Sequence, residues 1–159
     1  MAISGMDVRF TERGDSLTIK DSSFGGFNNS LEAGLVYADG DGFILVENSL
    51  FHDIGGGEGG VFNLGNQVEI EIVDSVFRNN TAGRSAGVLL ASGELNVTIT
   101  NCTFASNYGF HGGVFFFTQT VNYNITDSVF ESNRADGYGA VIYIMSLRDV
   151  RAPPLFSSP

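Results

Sequence analysis

Lysine occurs once in this chain of 159 residues, at Lys20, and eight basic residues face 18 acidic ones, for a formal net charge of −10. That balance argues against a nucleic-acid partner, because phosphate recognition needs clustered Lys and Arg. Charge is scarce altogether: 16% of residues carry it, against roughly 25% in ordinary globular domains. Cysteine also occurs once, at Cys102. A single thiol makes no intramolecular disulfide and no paired-thiol metal site. No apolar run nears the roughly 20 residues that cross a bilayer, and Met1 to Gly14 has no signal-peptide core. What is plentiful is glycine, 21 residues, and phenylalanine, 14, within 43% apolar content. That is enough to build a core rather than a disordered chain, and the length fits one domain.

The order of the residues repeats. DSSF at Asp21, NSLF at Asn48, DSVF at Asp74, NCTF at Asn101 and DSVF at Asp127 follow one another at intervals of 27, 26, 27 and 26 residues. A second landmark, a small residue before an apolar pair, recurs as GLV at Gly34, GVF at Gly60, GVL at Gly87, GVF at Gly113 and AVI at Ala140. In units led by Asp the small residue stands ten positions after the Phe and in units led by Asn nine, which suggests a double repeat of 53.

Before each Asp or Asn, apolar residues alternate with the period of a half-buried strand: Leu17 and Ile19, Ile44 and Val46, Ile70 and Ile72, Val97 and Ile99, Tyr123 and Ile125. No helical period is present. Short strands and Gly/Asn-rich corners repeating every 26–27 residues predict an all-β fold, a parallel β-helix (solenoid) of about five coils. Leucine-rich repeats are the nearest competitor, but their leucine ladder is missing. The expected organisation is a partial N-terminal coil over 1–16, β-helix repeats over 17–147, and a C-terminal tail or partial coil over 148–159. Asp7 to Phe10 aligns with the second strand of a preceding coil, and PPLF at Pro153 lies about where another NSLF would start.

FRNN at Phe77, FASN at Phe104 and FESN at Phe130 share an F-x-x-N signature, and GGVF at Gly59 and Gly112 resembles its G-G-apolar partner. Over residues 17 to 145 the chain resembles the repeats of chlamydial polymorphic outer membrane proteins, within the pectin-lyase-like right-handed β-helix class. The resemblance implies a right-handed coil. It leaves function open, since that class holds adhesins, autotransporter passengers and polysaccharide-cleaving enzymes.

In a solenoid equivalent residues stack in columns. Phe24, Phe51, Phe77, Phe104 and Phe130 are expected to form an interior aromatic ladder beside a small polar column of Ser22, Ser49, Ser75, Cys102 and Ser128, so Cys102 reads as a Ser-like core filler. The corner column Asp21, Asn48, Asp74, Asn101, Asp127 reads as structural, each interposed Asn separating two carboxylates and offering an amide donor; a calcium-binding row is the alternative. Two adjacent columns are wholly apolar, Leu35, Val61, Val88, Val114, Val141 and Val36, Phe62, Leu89, Phe115, Ile142. Neighbouring strand residues point to opposite faces, so one column is expected to face outward and to be covered. Val36, Phe62, Leu89, Phe115 and Ile142 are the candidate self-association face, with the Val row as the other choice.

Few residues suggest chemistry. His52 and His111 fall in different columns, read as solvated loop residues and do not suit one metal site. Asp39 and Asp41 in DGDG read as a turn, with calcium binding as the alternative; the remaining acid of a full calcium loop is missing. GGGEGG at Gly55 is a corner without the lysine of a phosphate loop. The paired acids or basic row expected of polysaccharide-cleaving β-helices are missing around Arg78, Arg84 and Arg134, so no enzyme activity is expected. A Thr-x-Thr ice-binding ladder fails too, the outward column running Thr18, Leu45, Glu71, Thr98, Asn124. Five N-x-Ser/Thr sequons, at Asn28, Asn79, Asn96, Asn101 and Asn124, are candidate glycosylation sites, against about two expected by chance from 13 Asn and 24 Ser or Thr.

Taken together these features predict a non-enzymatic extracellular or cell-surface element, structural or adhesive, that assembles with other copies of itself end to end or laterally into a surface assembly or filament. No cofactor is expected beyond the calcium alternative, and no membrane span. A carbohydrate-active enzyme or glycan-binding module of the same fold is the competing expectation, with glycans as its partners.

Overall fold

In the computed structural model, which describes residues 2–3, 8–10, 14–29, 34–65, 67–119 and 121–145, the chain winds as a solenoid of parallel strands. Each coil gives a strand to each of three sheets. The first sheet has five strands, Asp15–Lys20, Gly42–Glu47, Val68–Val73, Leu95–Thr100 and Val121–Thr126, which define coils one to five. The second, nine-stranded sheet carries Ser23–Asn29, Leu50–Gly56, Val76–Arg78, Thr103–Ala105 and Val129–Glu131 in register, together with shorter pieces such as Thr81–Ala82, Tyr108–Gly109 and Arg134–Ala135. The third has six strands, Val8–Phe10, Val36–Asp39, Phe62–Gly65, Leu89–Ala91, Phe115–Phe117 and Ile142–Ile144. Val8–Phe10 pairs with Val36–Asp39, and Ala2–Ile3 pairs with Ser23–Asn29, so strands precede the first full coil. Pro153 to Phe156 and the rest of 148–159 lie outside the described residues.

Side chains stack in rows because every rung is offset by one coil. Phe51, Phe77 and Phe104 are fully buried, with neighbouring rings parallel and 4.7 and 5.0 Å apart; Phe24 and Phe130 extend the stack by 5.3 and 5.0 Å. Beside them the Ser hydroxyls close local turns: Ser49 Oγ donates to the Glu47 carbonyl and accepts the Ser22 amide. Cys102 occupies this column, its Sγ 3.2 Å from the Thr100 carbonyl, and burial pushes its thiol pKa up. The Asn of the F-x-x-N signature lies inside. Asn107 Nδ2 donates to the Phe77 carbonyl and to Asn133 Oδ1, while its own Oδ1 accepts from the Asn80 amide and side chain. Coil two has Ile54 in this column, fully buried, and Phe27 precedes it.

Two left-handed corners bracket the phenylalanine strand. One holds Asp21, Asn48, Asp74, Asn101 and Asp127 at φ between 46 and 53°, the other Gly26, Asp53, Asn79, Ser106 and Ser132. Asn, Asp and Gly are the residues that enter this region at least cost.

The third sheet departs from expectation. Val36, Phe62, Leu89 and Phe115 are fully buried in the core, Ile142 packs against it, and the adjacent column Leu35, Val61, Val88, Val114 is buried as well. The candidate self-association face Val36, Phe62, Leu89, Phe115, Ile142 is therefore interior, and so is its alternative. The reason is a corner between the two columns. Val61 and Phe62 both donate their amides to the Val88 carbonyl, at 3.0 and 2.8 Å, and Val88 and Leu89 repeat this on Val114. Two consecutive residues sharing one acceptor bend the chain, as at a bulge, so both side chains turn inward. The small residue before the corner is explained by the same closeness: a Cβ on Gly60 would sit 1.8 Å from the Gly87 carbonyl oxygen. Strand alternation starts only at Phe62, and the outward column is Tyr37, Asn63, Leu90, Phe116, Tyr143.

Candidate functional site

That outward column carries the most distinctive surface. Leu90 and Phe116 point out of the coil yet are only 6% exposed, because they form a small apolar cluster with Ala86, against which Tyr143 packs. Tyr143 continues the column, its ring stacked on Phe116 at 5.2 Å. His111 enters from the preceding corner of coil four, 5.3 Å from Phe116 and 5.7 Å from Tyr143. Tyr138 lies parallel to His111 at 5.9 Å and stacks on Tyr143 at 5.0 Å, while Phe110 meets His111 edge-on at 4.8 Å. Tyr138 is 59% and Phe110 43% exposed, so the ring cluster ends at solvent. His111 is thus an aromatic cluster member rather than a solvated loop residue, its Nδ1 buried without a hydrogen-bond partner among the described residues. The sequence carries a signal for this face: with the corner in place, Phe62/Leu64 and Phe115/Phe117 form the inward i, i+2 pairs, leaving Phe116 outside.

A polar edge adjoins the rings. The Tyr108 hydroxyl donates to Asp136 Oδ2 at 2.8 Å, and Arg134 reaches Asp136 Oδ1 at 2.7 Å. These bonds hold the Asp136 carboxyl below the usual range, Tyr108 first and Arg134 second, and raise the Tyr108 phenol above its own. Tyr108 also lines a groove of about 670 Å³ together with Asn28, Gly56, Gly57, Thr81, Ala82, Gly83 and Arg84.

The other sequence candidates lie elsewhere. His52 Nδ1 contacts Asp53 Oδ2 at 2.7 Å on the second sheet, and this bond lowers the Asp53 pKa. Asp39 ends its strand opposite Gly65, and Asp41 follows in the turn. Among the described residues no three or more His, Cys, Asp or Glu side chains converge as a metal-binding group. Asn96 and Asn124 project from the exposed face of the first sheet, Asn79 and Asn101 sit at the two left-handed corners, and Asn28 is exposed beside Gly55, its sequon Ser30 lying outside the described residues.

Residues 8–150 match the family described as the right handed beta helix region. The chain belongs to that family. Family membership agrees with the parallel three-sheet solenoid and gives the coil its hand. No curated protein and no solved structure matches the chain. Among the described residues of this β-helix, no helix is long and apolar enough to cross a membrane.

Proposed function

We propose that the chain is a non-enzymatic, extracellular structural or adhesive β-helix that associates with further copies through the outer face of its third sheet. The observation that supports this is the aromatic cluster of Phe110, His111, Phe116, Tyr138 and Tyr143, which is packed from within and open to solvent at Phe110 and Tyr138. Rings anchored in this way contribute contact area without the entropy loss of floppy side chains. Phenylalanine and tyrosine at an exposed edge are the residue types that concentrate at protein interfaces.

Sedimentation velocity tests it, comparing the wild-type chain with the double variant Phe110→Glu, Tyr138→Glu. Both positions are exposed, so the variant keeps its fold, which circular dichroism checks. The wild type is expected to associate at micromolar concentration and the variant to remain monomeric. A wild-type chain that stays monomeric at high micromolar concentration overturns the proposal.

The groove beside Tyr108 favours a second function, a glycan-binding module. An aromatic ring, three glycines, the polar Asn28 and Thr81 side chains and Arg84 give it the mixed apolar and polar lining of small-ligand sites. Calorimetric titration with oligosaccharides, and loss of the heat in Tyr108→Ala, separates this function from self-association.

A further inference from the structure

We infer that Asn96 and Asn124 are the acceptors of N-linked glycans and that Asn101, despite its sequon, is not. This rests on the extracellular placement proposed above. Asn96-Val97-Thr98 and Asn124-Ile125-Thr126 lie within strands of the first sheet. Alternation sends Val97 inward, buried, and puts each Asn and its Thr on the exposed face. Asn124 pairs in register with Thr98, so the two acceptors sit one coil and two residues apart, roughly 8 Å. Among the described residues, Asn122 donates to the Asn96 oxygen and leaves the Asn96 side-chain nitrogen uninvolved, and the Asn124 side chain makes no hydrogen bond. A glycan at either position leaves the sheet perpendicular to it and displaces nothing.

Asn101 is placed differently. Its nitrogen donates to Asp74 Oδ1 at 2.7 Å, in a left-handed corner with Asp127 on the next rung. Glycosylating it puts a sugar between two carboxylates and disturbs the bond that separates them. Asn79 is placed like Asn101, in a left-handed corner with its amide bonded to the Asp53 carboxylate.

In the transfer step a lipid-linked diphospho-oligosaccharide is the donor. The acceptor amide nitrogen loses a proton and forms a C–N bond to the anomeric carbon of the reducing-end sugar, while the bond from that carbon to the diphosphate oxygen breaks and the lipid diphosphate leaves with the electron pair. Transfer precedes folding, so chains modified at Asn101 have to seat a sugar beside the Asp74 and Asp127 carboxylates with a single amide N–H left to donate. The chains that reach the medium folded are expected to be those modified on the first sheet. Two glycans there would cover its outer face in coils four and five and leave the second and third sheets open.

The test is to secrete the full chain from a eukaryotic cell behind a cleavable leader, release the glycans with an amidase in heavy-oxygen water, and map the labelled Asp by peptide mass spectrometry. Label at Asn96 and Asn124, with Asn101 less than one-tenth as occupied, is the expected result. Equal or greater label at Asn101, or secreted chain with no label at Asn96 and Asn124, overturns the inference. Asn124→Gln should remove one glycan from the intact mass and Asn101→Gln none. Self-association is measured separately on the enzymatically deglycosylated chain, so an unlabelled chain that still associates sinks only the glycan assignment.

Discussion

The side-chain amide of Asn101 donates to the Asp74 carboxylate across 2.7 Å, from one coil to the next. Asn48 does the same for Asp21 at 2.6 Å. Without these amides the exposed corner would stack carboxylates about 4.8 Å apart, at a cost of up to roughly 1 kcal/mol per pair in water. Alternation of Asp with Asn is what lets a left-handed corner repeat in register on a chain already carrying a net charge of −10.

Asn101→Asp places three carboxylates on consecutive rungs, and about 1–2 kcal/mol of stability should be lost at pH 7. Repulsion exists only while the three carboxylates are charged, so the loss should shrink in acid, where they are protonated, and be full at neutral pH. Urea unfolding at pH 3 and pH 7, with and without 1 M salt, checks this. An equal loss in all conditions would assign it to corner geometry instead of charge.

Phe77 has a parallel ring on each side, at 4.7 and 5.0 Å, and is fully buried. Phe77→Ala should cost about 3–5 kcal/mol through lost burial and a cavity. Phe130, half-buried, should cost less than half as much on truncation. Chemical denaturation of the two variants measures the difference, and equal costs would show that the stack does not act as a continuous core.

Gly87 precedes the third-sheet corner, where an added Cβ would lie 2.3 Å from the Gly113 carbonyl oxygen and 2.8 Å from that of Tyr108. Neither atom can move without shifting a neighbouring coil. Gly87→Ala should therefore lose at least 1–3 kcal/mol, the usual cost of overpacking. At Gly83 the nearest atom would be 3.7 Å away, so Gly83→Ala should melt within a degree or two of wild type. Thermal melts of both variants test the corner.

Burial raises the Cys102 thiol pKa, so the folded chain holds the proton more tightly than the unfolded one. The stability linked to this group is fully present below the unfolded thiol pKa, ordinarily about 8.5, and is lost as pH rises through the higher folded value. The melting temperature of the wild type should consequently fall relative to Cys102→Ser above about pH 9. Parallel pH dependences from 7 to 10.5 would refute it. Alkylation of the native thiol at pH 8 should be slow until the chain is unfolded, since a buried thiol reacts poorly.

The coil was legible in the residue order because each landmark recurs at a fixed interval, and one interval per turn leaves a parallel stack little freedom. The corner ladder and the phenylalanine column lie at fixed offsets within that interval. The third sheet was not legible in the same way. Alternation assigns faces only along a straight strand, and the bend between Val61 and Phe62 resets it.

The 26- to 27-residue period, the left-handed Asp/Asn corners and the phenylalanine rows are properties of residue order, since backbone conformational preference and β alternation act over a few neighbours. The exterior required the neighbouring coils. A shared carbonyl on Val88 turns two apolar columns inward, Phe116 emerges in their place, and His111, Tyr138 and Tyr143 gather around it from two coils. The Phe116–Tyr143, His111–Tyr138 and Phe62–Val88 contacts join residues about a whole turn of chain apart, so no local pattern specifies them; they exist only when the coils are stacked in register.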